Sequence, residues 1–202
     1  MKKNEIVKML KVVGGFYLAY NVIYGGYSGI KVAKTNKRLM NIASAFDDDN
    51  VVKINDTNVI PILSGNDISV LGGCCGLTYR PPLTDTVFII LDESVPEDIR
   101  MVISSHEIGH IVNGDFNRSN RELNKINRER YKKPEVSNPA TWMEIKADEY
   151  AVIENGKEAV LNMMQYLRTR LDVYYSHPMR IRYRKIALAD LDFRIKYIEE
   201  HY

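Results

Sequence analysis

Two imidazoles spaced four residues apart constrain this 202-residue chain more than any other feature. In His106-Glu107-Ile108-Gly109-His110 the pair can act together only on a helix, where four residues advance by about 400° and bring both side chains to one face. The neighbouring sequence supplies that helix. Ser94 and Glu97 have capping-box spacing, and Pro96 is tolerated in a first turn. Ile99, Val102, Ile103, His106 and His110 then fall on adjoining positions of one side, and Asn113-Gly114 is a stop signal. Directly before the helix, TVFIIL at residues 86–91 is the clearest strand in the chain, and its place in the order suggests an edge that a peptide could join.

Histidines at this spacing can each give one nitrogen to a single Zn²⁺. Glu107 lies one position round the helix, where its carboxylate reaches a water rather than the metal. Gly109 removes a side chain between the ligands and lets another element pass close by. A catalytic zinc site needs a third protein ligand, and Glu144 is the first candidate. It lies on a second helix, which starts at Pro139 after Asn138 and runs to about Glu154, with Asn155-Gly156 ending it. Glu144 and Asp148 share a face at i,i+4 spacing. With Glu144 on the metal, Asp148 would accept the remaining N–H of a ligand histidine and fix its tautomer. Ala147 would keep the contact between the two helices thin. Three competitors stand beside Glu144. Glu149 points about 100° away from Asp148. Asp115 lies just past the first helix and reads as too far along its axis. His177, ahead of Pro178, could approach from a third direction.

The remaining pattern gives an α+β chain, a small N-terminal sheet packed against a helical half. VVKI, NVIPIL and ISVL, between residues 51 and 71, read as short strands with tight turns, the glycines permitting positive φ. A third helix covers about residues 157–172, and a fourth follows His177-Pro178 to the C-terminus. Two domains are expected, an N-terminal helical and hydrophobic segment over 1–45 and a main domain over 46–202. Within the first, residues 12–30 carry no charge over 19 positions but hold five glycines and four tyrosines. That dilution argues for a buried or interfacial segment, with weak membrane association as the other reading. Residues 115–137 hold seven Lys/Arg and four Asp/Glu with little apolar content, the composition of a solvated connection with a helical turn or two around Leu123 and Ile126.

Composition narrows the function classes. A net charge of +2, from 28 basic and 26 acidic residues, is too small for a nucleic-acid binder. The two cysteines, Cys74 and Cys75, are adjacent, so no disulfide framework joins distant segments, and a reducing, cytoplasmic location follows.

HEIGHIVNGD at 106–115 followed by EIKADEYA at 144–151 resembles the gluzincin zinc metallopeptidases, most closely the M48 family of CAAX-prenyl-endopeptidase and HtpX-like peptidases. The small peptidases of the ImmA/IrrE type are also similar. The resemblance implies a zincin-like core over roughly residues 85–190, with His106, His110 and Glu144 on zinc and Asp148 behind them. It further implies Glu107 as general base, protein or peptide substrates, and a His-Pro before an arginine-containing last helix, matched by His177-Pro178 and Arg180, Arg182 and Arg184. His177 is the first candidate for a second oxyanion donor. The expected activity is zinc-dependent peptide-bond hydrolysis; the alternative is a metal-containing regulatory or partner-binding module with little turnover.

Overall fold

The structure, a computed structural model, describes residues 51–64, 75–80, 86–115, 118, 121–122, 125–126, 139–174 and 181–202. The expectations for residues 1–45, ISVL, Cys74 and His177 lie outside the described residues. Within them the chain is α+β, a four-stranded mixed sheet with four helices.

The strands β1 (Val52–Ile54) and β2 (Thr57–Ser64) form an antiparallel hairpin. Its two-residue turn places Asn55 and Asp56 at φ +47° and +61°. Two positive values are what a tight hairpin turn requires, and Asn and Asp tolerate them, so this turn needs no glycine. The strands β3 (Gly76–Tyr79) and β4 (Thr86–Asp92) complete the sheet in the order β1-β2-β4-β3. β4 runs parallel to β2 and antiparallel to β3. The TVFIIL strand is therefore central, contrary to its expected edge position. Its five consecutive buried residues, Val87 to Leu91, are the pattern of a strand covered on both faces. Among the described strands β3 takes the edge instead.

Helix α1 (Glu97–Val112) follows β4 after a short turn held by Val95 N–H donating to Asp92 O at 3.2 Å. Ser94 does not cap it: Pro96 occupies the cap position, with no side-chain cap bond, and the Ser94 N–H donates to Asp92 Oδ1 at 2.9 Å. Glu97 and Asp98 lie in the first turn, where the helix dipole favours negative charge. Gly114, at φ +71°, then turns the chain out of the helix. Helices α2 (Pro139–Asn155) and α3 (Lys157–Tyr174) are joined by Gly156 at φ +85°, and α4 (Ile181–His201) follows. No helix among the described residues is long and apolar enough to cross a membrane.

One core joins these parts. Val87, Ile89 and Leu91 from the sheet meet Val102, Ile103 and Ile111 of α1. Val152, Val160, Met163, Met164, Leu191, Ile195 and Ile198 continue it through the other helices. In the connection after α1, Ile126 is buried within a short helical turn.

Candidate metal centre

Helix α1 places both histidines as their spacing predicts, with His106 Nε2 and His110 Nε2 3.2 Å apart. Glu144 approaches from α2, with Oε2 3.5 Å from His106 Nε2 and Oε1 4.0 Å from His110 Nε2. A tetrahedral ion with bonds of about 2.0–2.2 Å would hold its ligand atoms about 3.3–3.6 Å apart. The two nitrogens already lie near that range. The two Glu144 distances run to different oxygens; with one ligand atom from each residue the three lie within 4.8 Å of one another, so a bound ion would draw the carboxylate inward by about an ångström.

Crossing helices produce this convergence. A Cβ on Gly109 would stand 2.8 Å from Ala147 Cα and 2.9 Å from Ala147 O, so α1 and α2 touch backbone to backbone between the ligand pairs. With a small residue on each side, Glu144 and Asp148 straddle the histidines.

Each imidazole meets a carboxylate on its far nitrogen. Asp148 Oδ1 lies 2.8 Å from His106 Nδ1, at ion-pair distance though out of hydrogen-bond alignment. Asp115 Oδ2 lies 2.9 Å from His110 Nδ1. A carboxylate beside Nδ1 favours the proton on that nitrogen and leaves the Nε2 lone pair for the shared point. Asp115 stays outside the ligand set, as its place past the helix end suggests, but Gly114 turns the chain back and Asp115 reaches His110 from behind.

A further residue anchors the acids. Arg194 of α4 forks onto Asp148, Nε to Oδ2 and Nη2 to Oδ1, both at 2.7 Å, while Nη1 donates to Glu144 Oε2 at 3.0 Å. Burial alone would raise the Glu144 and Asp148 pKa values. Arg194, with help from the imidazoles, instead holds Glu144 well below the usual carboxylate range and lowers Asp148 as well. Burial opposes charge on Arg194, but Asp148 and Glu144 overcome it and keep the guanidinium protonated. At His106, burial disfavours the imidazolium, yet Asp148 and then Glu144 push its pKa up to about 10.

Four carboxylates are buried among the described residues, Glu107, Asp115, Asp148 and Asp190, against one buried guanidinium, Arg194. Thr141 Oγ donates to Asp190 at 2.5 Å. The site is thus a negative surround that favours a cation, a proton on His106 in the metal-free chain or a divalent ion in its place. His106, His110 and Glu144 are the set of side chains that could hold such an ion.

Glu107 sits beside this set without joining it. Its Oε2 accepts the Thr78 hydroxyl of β3 at 2.5 Å. A Cβ on Gly76, also in β3, would come within 3.2 Å of its Oε1. The edge strand therefore holds one oxygen and leaves space at the other. The competing ligand Glu149 faces away and its Oε1 accepts Tyr197 O–H at 3.0 Å. Next to it on α2, Tyr150 packs its Cβ against Gly109. Arg194 and Thr78 escaped the sequence reading, because neither lies at a spacing that a motif defines; Asp115 figures there only as a competing ligand, not as a partner of His110.

Comparison with protein-family models, with curated proteins and with solved structures finds no match to this chain.

Proposed function

We propose that the chain is a zinc-dependent endopeptidase with a zincin-like core, its ion held by His106, His110 and Glu144. The observation that carries this reading is the convergence of two Nε2 atoms and a carboxylate, with Asp148 and Asp115 behind the imidazoles. Two imidazole nitrogens and one carboxylate oxygen, leaving a position open, are the donor set of catalytic zinc. The cation-favouring surround that raises His106 supports the same assignment. A bound zinc ion would supply Lewis acidity to a carbonyl and lower the pKa of a water from about 15.7 towards about 7.

The chain's own residues do the rest. Glu107, with Oε2 held by Thr78, presents Oε1 as the proton acceptor and later returns that proton to the leaving amine. Arg194 keeps Asp148 and Glu144 ionised, so that neither takes the proton meant for Glu107. β3 offers an outer edge on the Glu107 side, where an extended peptide could add as a further strand. That fits a protein or peptide substrate better than a nucleic acid. His177, outside the described residues, remains the proposed second oxyanion donor.

Elemental mass spectrometry of chelator-free protein should find about one zinc per chain, and His110→Ala should lose it. Glu107→Gln should keep the metal and lose casein cleavage. A regulatory module would keep zinc and be indifferent to Glu107→Gln, whereas a folded wild type that takes up no metal would refute the assignment.

A further inference from the structure

A polar cavity of about 170 Å³ lies at the carboxy-terminal end of α1, just past His110, lined by Asn55, Thr57, Arg80 and the segment from Ile111 to Gly114. Arg80 directly follows β3, and its Nε is buried with no hydrogen-bond partner. Among the described residues, no acidic side chain lines the cavity. The carboxy end of α1 explains why a cation stands there, since helix carbonyls favour positive charge. It does not satisfy the guanidinium. Three of the last four carbonyls have donors: Gly109 O takes Asn113 N–H at 2.9 Å, Ile111 O takes Gly114 N–H at 3.0 Å, and Val112 O takes Asn55 Nδ2 at 3.3 Å. A buried donor of a charged group without an acceptor is costly, and a room-sized polar cavity beside it is where the acceptor belongs.

We propose that this cavity is a carboxylate-binding site, with Arg80 as the anchoring cation and the Thr57 hydroxyl as a second donor. The charge balance selects the ligand. One guanidinium matches one negative charge, and the negative end of the α1 dipole disfavours a dianion such as phosphate. A planar carboxylate can also use the guanidinium fork with two parallel bonds. The assignment does not depend on the metal centre, because none of His106, His110 and Glu144 is among the described residues that line the cavity.

Isothermal titration calorimetry on the full chain tests it with two carboxylate probes. N-acetylglycine stands for a free chain end, and N-acetylaspartic acid α-amide for an acidic side chain; their neutral amides and inorganic phosphate are the comparisons. At least one carboxylate should bind, its amide should not, and phosphate should bind more weakly. Arg80→Met removes the whole fork and should weaken binding by at least about 10- to 100-fold, the worth of one charge-assisted hydrogen bond. Thr57→Val, which keeps the charge, should weaken it by a smaller factor and serves if Arg80→Met fails to fold. Whichever carboxylate binds tighter identifies the source. No binding by either probe, binding unchanged in both variants, or phosphate binding tighter than the carboxylates would each overturn the proposal.

Discussion

Gly109→Ala tests the geometry that brings the two ligand-bearing helices together. In an unconstrained helix interior the change would stabilise by about 1 kcal/mol, because glycine costs backbone entropy. Here the new Cβ would stand 2.8 Å from Ala147 Cα and 2.9 Å from Ala147 O, against an ordinary contact of 3.4 Å or more. Both neighbours are backbone atoms and cannot rotate away, so α1 and α2 must part by at least about half an ångström. Overpacking of this kind costs about 1–3 kcal/mol, which cancels or exceeds the propensity gain. The sharper consequence is at the metal. His106 and His110 move with α1 and Glu144 with α2, so the same half ångström is taken from a bond of about 2.1 Å. Zinc affinity should fall by at least about tenfold, as it does when ligand support is disturbed. Competition with a chromophoric chelator measures this, and denaturant unfolding of the metal-free protein measures the packing cost. Gly156→Ala is the control: it strains a residue at φ +85° where a Cβ meets nothing within 4 Å, and should leave zinc affinity unchanged. If Gly109→Ala raised stability and bound zinc as tightly as the wild type, the close crossing would not be what positions Glu144.

Asp115→Asn should retain the fold but weaken zinc binding by about 10- to 100-fold, read by the same chelator competition. In the metal-free protein His106 has its pKa raised to about 10, above the unfolded value of 6.5. Its contribution, a few kcal/mol in order of magnitude, is therefore fully present below about pH 6.5 and lost as pH rises through about 10. Urea unfolding in chelator between pH 6 and 10.5 should show that decline, and His106→Gln should flatten it. Burial raises the Cys75 thiol pKa, so native protein at pH 7.5 should react with iodoacetamide far more slowly than unfolded protein, as peptide mass mapping would show.

What the sequence reveals here is local, and what it hides is lateral. Helix ends marked by Asn113-Gly114 and Asn155-Gly156 fall where turn chemistry places them, since each glycine takes a positive φ that its neighbours avoid. The histidine spacing and the 144/148 pair are likewise helix geometry. TVFIIL was legible as a strand but not as a central one, because its neighbours lie elsewhere in the chain; its unbroken apolar run was the available clue. Asp115 was legible as lying outside the ligand set but not as a partner of His110, because Gly114 bends the chain back. Arg194 left no signal, as its partners stand 46 and 50 residues earlier.

That separation orders events during synthesis. Every proposed zinc ligand leaves the ribosome well before Arg194, yet until α4 arrives Glu144 and Asp148 face each other without their counter-cation. Two carboxylates on one helix face then lack the cation that offsets their repulsion, which works against closing the ligand set. The last helix thus acts as a completion signal: a chain interrupted before it carries all three metal ligands and lacks the clamp that makes them a site.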